Sequence, residues 1–391
     1  MTLSTKRILT NNLNIGFNVM MRLTFKERYN LCLTSKSLFE TLFKKYKHNE
    51  IINIKFKDYR LCDIWRNIKF QLEYYRDIID VSILRNFHTI NLSDIDNITD
   101  VSMLGNVHTL DLESCDKIID VSMLGNVNTL YLAYCDKITD VSMLGGVYTL
   151  DLSYCNKIID VSMLGNVHYL YLIGCDKITD VSMLGNVQEL YLSCTNITDV
   201  SMLGKVYELD LEDCQNIIDV SMLGNVHTLN LSCCQNITDV SKLGNVHTLN
   251  LLGCDNITDV SMLGNVHTLK LFNCKNITDV SMLGKVYKLD LSWTNITDAS
   301  MLGNVHTLNL LGCDNITDVS MLGKVHTLNL SKCKNITDVS TLGKNHTLNL
   351  SGCVKITDVS MLGKVHTLNL SNCKNITGVS MLGKVHSLKL V

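Results

Sequence analysis

Three residue types capable of chemistry recur in this chain at fixed intervals. Twelve of the sixteen cysteines share one register, from Cys115 to Cys373, and eleven of the twelve histidines share another, from His88 to His386. A column of aspartates beginning Asp100, Asp120 and Asp140 runs with them. Cysteine with histidine is a zinc donor set, and periodic aspartate is one way repeat proteins hold calcium. The register argues against both metals. Histidine precedes a short apolar strand pattern and cysteine follows it, so the two columns lie at opposite ends, whereas zinc needs donors converging to about 2.0–2.3 Å. Each aspartate stands alone before a turn, the ordinary place of an N-cap, outside any dense Gly-Asp alternation. No nucleophile–base pair and no glycine-rich phosphate loop departs from the repeat. The chain is read as non-enzymatic, without metal or cofactor.

The element that positions these columns is a unit of twenty residues. Two consecutive copies read VHTLNLLGCDNITDVSMLGN (246–265) and VHTLKLFNCKNITDVSMLGK (266–285). Leucines two apart, such as Leu249 and Leu251, mark a short strand with alternate side chains inward. That strand has no partner inside its own unit, so it must pair with the same strand of the next turn and build one long parallel sheet. The segment D-V-S-M-L-G reads as a tight helical turn, with Asp259 as its N-cap and Gly264 taking a positive φ at its end. The fold class expected is α/β, a solenoid of one long curved parallel sheet with short helical turns on its outer side. The unit resembles the leucine-rich repeat of the cysteine-containing subclass, whose consensus places Asn or Cys after the L-x-L strand.

The phase extends to both ends. Phe70, Leu72, Tyr75, Ile78 and Asp80 fit a degenerate first unit, and Ile95 takes the cysteine position in the next. The expected organisation is a helical head over 1–50, a degenerate first repeat and junction over 51–86, and the solenoid over 87–391. The last strand, 385–390, is expected to be an edge, with Lys389 discouraging pairing. Thr195 and Thr294 replace cysteine in two units that are each one residue short, and their hydroxyls are expected to donate the hydrogen bond of the thiol.

Composition bounds the setting. The chain has 391 residues, 46% apolar, and no proline. The net charge of −3 conceals a segment 1–70 at +9 and a remainder at −12. No basic stripe with interleaved aromatics marks the repeats, so nucleic acid is not the expected partner. No apolar h-region opens the chain and no run is long enough to span a membrane. A reducing, cytoplasmic setting is therefore expected, with free buried thiols and with the N-I-T sequons at Asn97, Asn196, Asn236 and Asn256 unmodified.

Positions that vary between copies carry the information about a partner. The column between the strand leucines holds Tyr131, Tyr171, Tyr191 and Asp210, and beside it Tyr169, Glu189 and Glu208 stand where most copies have Thr. Eight of the fourteen tyrosines fall between 131 and 207. Tyrosine offers contact area with a polar tip and is favoured at interfaces. These seven residues are the expected recognition patch, on the concave face, for a protein segment with basic and apolar groups.

In the head, Ile15, Val19, Met20 and Leu23 form one helical apolar face, and Leu31 and Leu38 continue a second. With Glu27 and the S-K-S at Ser35–Ser37, this spacing resembles an F-box, although Asn11 and Asn12 stand where an F-box opens with Leu-Pro. The resemblance implies that these six apolar residues bind the small adaptor of a cullin-RING ubiquitin ligase while the repeats hold a substrate. A helical cap over the open first turn is the other reading of the head. The wealth of Asn, Ile and Lys, with this architecture, is similar to repeat proteins of giant amoeba-infecting DNA viruses, which implies a host-cell cytoplasm.

Overall fold

The computed structural model describes residues 51–52, 69–71, 81, 84–85, 87–95 and 97–390. The head residues Ile15, Val19, Met20, Leu23, Leu31 and Leu38 lie outside them, as do Leu72, Tyr75, Ile78 and Asp80. Each described unit from Lys69 on contributes a three-residue strand, and consecutive strands, with the two-residue Ile51–Ile52, pair in parallel into one sheet of eighteen. Pairing is in register, Leu249 against Leu269 and Leu269 against Leu289. The two short units keep it by closing the gap at nineteen residues, Leu190 against Leu209 and Leu289 against Leu308. Phe70 pairs with Ile90. The sheet begins one strand earlier than expected, at Ile51–Ile52, which pairs with Lys69 and Phe70.

The core is a stack of identical layers. In the unit beginning at Val246, Val246, Leu249, Leu251, Cys254, Ile257, Val260 and Leu263 are all buried, and they pack against the same residues of the turns on either side. Burying one such aliphatic side chain contributes about 1.5–3 kcal/mol. No single turn encloses its layer, so stability is shared between neighbours.

The outer turn is a 3-10 helix, Ser261–Leu263 in this unit. Asp259 does cap it, but from one residue further out than an N-cap: its Oδ1 accepts the Ser261 N–H at 2.8 Å. Hydrogen bonds from Ser261 hold the Asp259 carboxyl below the usual carboxylate range. The reading of Gly264 needs correction. Its φ is −62°, in the right-handed region. Glycine is required there because a Cβ would meet the carbonyl oxygen of Met282 in the next turn. The left-handed position lies instead just before the cysteine column, where Tyr134 has φ 62° and Gly174 φ 69°.

The cysteine column works as hydrogen-bond donors. Cys135 Sγ donates to Leu112 O at 3.2 Å and Cys155 Sγ to Leu132 O at 3.1 Å, each bond tying one turn to the previous one. Burial pushes the Cys135 thiol up to about 12, which keeps the donating proton in place. The threonines do not reproduce this bond. Thr195 Oγ1 donates to Leu192 O of its own turn at 2.6 Å, because the hydroxyl sits closer to its own strand than the longer C–S bond allows. Leu192 O also accepts Cys214 Sγ at 3.2 Å. At the far end, Leu388 and Leu390 of the last strand are exposed.

Candidate functional site

Alternation along a three-residue strand turns the middle leucine into the core and the first and third residues to the opposite, concave face. Tyr169 and Tyr171 flank buried Leu170, Glu189 and Tyr191 flank Leu190, and Glu208 and Asp210 flank Leu209. In-register pairing then sets each of these beside its counterpart in the next turn, Tyr171 beside Tyr191 and Glu189 beside Glu208. Six of the seven patch residues therefore lie on three adjacent strands. Tyr131 lies on the same face two strands away from Tyr171, across Asp151, and is 36% exposed.

Tyr171 and Tyr191 stack face to face, with centroids 4.5 Å apart and planes 6° from parallel. The Tyr191 hydroxyl donates to Glu208 Oε1 at 3.1 Å, with Glu189 Oε2 at 3.3 Å. Burial, then the Glu208 carboxylate, raises the Tyr191 phenol, and burial with Glu189 raises that of Tyr171, so both keep their protons. Asp210 accepts Ser193 Oγ at 2.7 Å and Asn230 Nδ2 at 3.1 Å. Tyr169 is turned toward the rim, edge-on to His168 at 4.6 Å and to Tyr148 at 5.4 Å. The patch thus has an aromatic platform, a carboxylate cluster and an aromatic rim.

Four further carboxylates that the expected patch omits share its face: Asp111, Glu113, Asp151 and Glu212. Two stand in the same column as Tyr131 and Asp210, and two stand two residues beyond the strand, where the chain still faces outward. Across these three outward files, the strands from Thr109 to Asp210 carry seven carboxylates and no Lys or Arg. Burial raises the Asp111 carboxyl, and Asp94 and Asp151 raise it further; Glu113 is raised by burial and then by Asp111. The signal was present in the sequence, since all four occupy registers that vary among copies.

Elsewhere the columns satisfy themselves. The histidines stack, from His227 on His247 at 4.6 Å to His366 on His386 at 4.6 Å, in a file of rings unbroken from Tyr207. Nδ1 of His247 lies 3.3 Å from its neighbour Thr248 Oγ1. Among the described residues no three His, Cys, Asp or Glu side chains converge to hold a metal. A groove of about 450 Å³ is lined by Asp116, Asp136, Asn156 and Asp176 with Lys137, Lys157 and Lys177, a lining of no net charge.

No protein-family model matches this chain, and no curated protein matches it. Solved structures do. A leucine-rich-repeat protein of Leptospira interrogans aligns with a TM-score of 0.56 at 17% identity, over 87% of this chain and all of the other. The chain folds as a leucine-rich-repeat solenoid. TLR13, solved as a complex with ssRNA13, also aligns with a TM-score of 0.56, at 16% identity over 87% of this chain and 61% of the other. InlJ of Listeria monocytogenes, whose functional domain includes a cysteine ladder, aligns with a TM-score of 0.42 at 23% identity, over 70% of each chain. The first two likenesses bear on the solenoid's architecture alone. Among the described residues no helix is long and apolar enough to cross a membrane.

Proposed function

We propose that this solenoid is a non-enzymatic recognition scaffold that binds a protein segment on its concave face, at Tyr131, Tyr169, Tyr171, Tyr191, Glu189, Glu208 and Asp210. The observation that carries the reading is the stacked Tyr171–Tyr191 pair beside carboxylates that no lysine or arginine neutralises within the three files. Such a face suits an extended segment in which Arg or Lys alternates with apolar side chains. The cations meet Glu189, Glu208 and Asp210, and the apolar groups or guanidinium planes lie on the rings. Asp111 and Glu113, raised above their usual range, release repulsion when a cation arrives.

The proposal extends to the head, on the strength of its sequence alone. Ile15, Val19, Met20, Leu23, Leu31 and Leu38 would dock the adaptor of a cullin-RING ubiquitin ligase in the host cytoplasm, which makes the bound segment a ubiquitination substrate. Full-length protein carrying Leu23→Asp and Leu31→Asp tests that half. Loss of adaptor in a pull-down, with unchanged circular dichroism, supports it; collapse of the solenoid supports the cap reading. The concave half is tested with an array of Lys/Arg-and-apolar peptides against wild type and Glu189→Lys/Glu208→Lys. Equal binding by both proteins overturns it.

A further inference from the structure

The unit's outer turn, S-x-L-G, occurs fifteen times from Ser102 to Gly383, and thirteen of the fifteen x positions are methionine. Leucine points into the core and methionine points out: each of these methionines is 44–62% exposed. An exposed position on a repeat is free to become polar, as the neighbouring Asn/Lys position before the strand has done. Only Lys242 and Thr341 depart. The outer turns touch through backbone, since a Cβ on Gly185 would meet the Met202 carbonyl, so the methionines form a closely spaced file.

The file is richest between Met103 and Met222, where seven consecutive turns keep methionine. Ile119, Ile159 and Ile218, 60–68% exposed, widen it where other units have threonine or alternate with it. Beside this ridge lie grooves between successive turns. One of about 330 Å³ has Val161, Val181 and Leu184 at its base and Ile159 and Met183 on its walls, and another of about 230 Å³ follows one turn on at Met202 and Leu203. Ridge and grooves share one face and one period.

We propose that this outer face, residues 102–222, packs back to back against the same face of a second copy of the chain. A second solenoid of identical rise presents thioethers at the interval of the turns, so its ridge can follow these grooves about a two-fold axis. Ten exposed large apolar side chains with their flanking serines and aspartates reach the roughly 20–30 residues per side of a stable interface. A contiguous exposed apolar strip of this size is unusual on a monomer, and methionine adapts its shape to such contacts.

The grooves also carry Asp160 and Asp180, whose Oδ1 atoms accept the Ser162 and Ser182 N–H groups at 2.9 Å. Two copies bring these carboxylate files together, so moderate salt should strengthen the association. Binding of a cationic segment on the concave face should weaken with salt, and the two interactions are separable on that sign.

Sedimentation velocity of the full chain, from about 1 to 100 µM in 50 and 500 mM NaCl, tests the proposal. A monomer–dimer equilibrium that tightens in high salt is expected. Met163→Glu/Met183→Glu/Met202→Glu should weaken it at least ~100-fold. The neutral Met→Gln triple at the same positions should act in the same direction, so a folding defect of the glutamate variant does not decide the matter. Met262→Glu/Met282→Glu/Met301→Glu, outside the isoleucine-widened strip, should change it less than about threefold. A wild-type chain that is monomeric at every concentration and salt, or a dimer indifferent to both 163/183/202 triples, overturns the proposal. A monomer that instead binds neutral phospholipid vesicles also overturns it.

Discussion

The two halves of the concave face are built on one backbone and behave oppositely. From Asn230 to Asn369 the central column is mostly asparagine, and the amides use their hydrogen bonds on one another. Asn250 Nδ2 donates to Asn230 Oδ1 at 2.9 Å and Asn329 Nδ2 to Asn309 Oδ1 at 2.8 Å, while Asn329 Oδ1 accepts the Ser331 N–H at 3.0 Å. An amide has both donor and acceptor, so neighbouring copies can bond one another, as these two pairs do. Between Asp111 and Asp210 the same column is carboxylate and tyrosine. Ionised carboxylates only accept, so Glu189 and Glu208, side by side in the neighbouring file, repel, and no Lys or Arg stands in the three files between Thr109 and Asp210. Identical repetition lets neighbouring amides bond one another, and variation in one stretch leaves carboxylates with no cation in the three files.

Breaking that comparison should give effects of decreasing size. Reversing charge with Glu189→Lys/Glu208→Lys/Asp210→Lys should cost a concave-face ligand at least about 100-fold in Kd by calorimetry, since like charges across an interface oppose binding by several kcal/mol. The fold should survive, because Leu190 and Leu209 are untouched. Asn329→Ala should act on stability instead. It removes the ladder bond and both bonds that Asn329 Oδ1 accepts from Ser331, whose N–H and hydroxyl lie 3.0 and 2.7 Å away. Leaving a buried polar group unpaired costs about 1–3 kcal/mol in a urea titration. Tyr171→Ala, which loses a stacking contact, should cost only about 0.5–1.5 kcal/mol.

Asn345 sharpens the contrast from within the asparagine half. It occupies the core position that is valine in neighbouring units, and its Oδ1 is buried without a partner. Its Nδ2 donates to Leu322 O at 3.0 Å and also to Val325 O. Asn345→Val should stabilise the chain by about 1 kcal/mol, the unpaired oxygen outweighing the lost donor bonds.

The smallest effect concerns pH. The ring file is unbroken from Tyr207 to His386 but interrupted at Asn128 and Gln188 in the first half. Burial and then His247 lower His267, with Lys288 adding to it, and burial and then His108 lower His88. A histidine lowered in the folded chain takes up its proton more readily when unfolded. Stability is therefore full above the ordinary value near 6.5 and falls as pH drops through it. Urea midpoints should decline modestly from pH 7.5 to 5.5. His267→Gln with His247→Gln should flatten the decline more than His88→Gln with His108→Gln.

Much of this was legible in the sequence. A period of twenty fixed the strand, its register and the layered core, because an identical unit has one way to bury an identical face. What escaped depended on neighbours in the next turn. Gly264 is glycine because of the Met282 carbonyl, eighteen residues on in the sequence but adjacent across turns, whereas within one unit the same glycine reads as a positive-φ position. Thr195 bonds its own strand and not the previous one, a matter of one bond length. Asp111, Glu113, Asp151 and Glu212 were visible as variable positions, but their membership of one carboxylate-rich surface appears only when three files are laid side by side.

The central claim is that the tyrosine–carboxylate half recognises a partner and the asparagine half does not. Affinity purification from a cell lysate with full-length wild type, Tyr131→Ala/Tyr171→Ala/Tyr191→Ala and Asn309→Ala/Asn329→Ala/Asn349→Ala, quantified by mass spectrometry and with folding verified by circular dichroism, tests it most directly. Loss of interface tyrosines at about 2 kcal/mol each should deplete the wild-type partner more than ~100-fold in the tyrosine variant, against less than about threefold in the asparagine variant. Equal recovery by the tyrosine variant and wild type, or selective loss in the asparagine variant, would contradict the account.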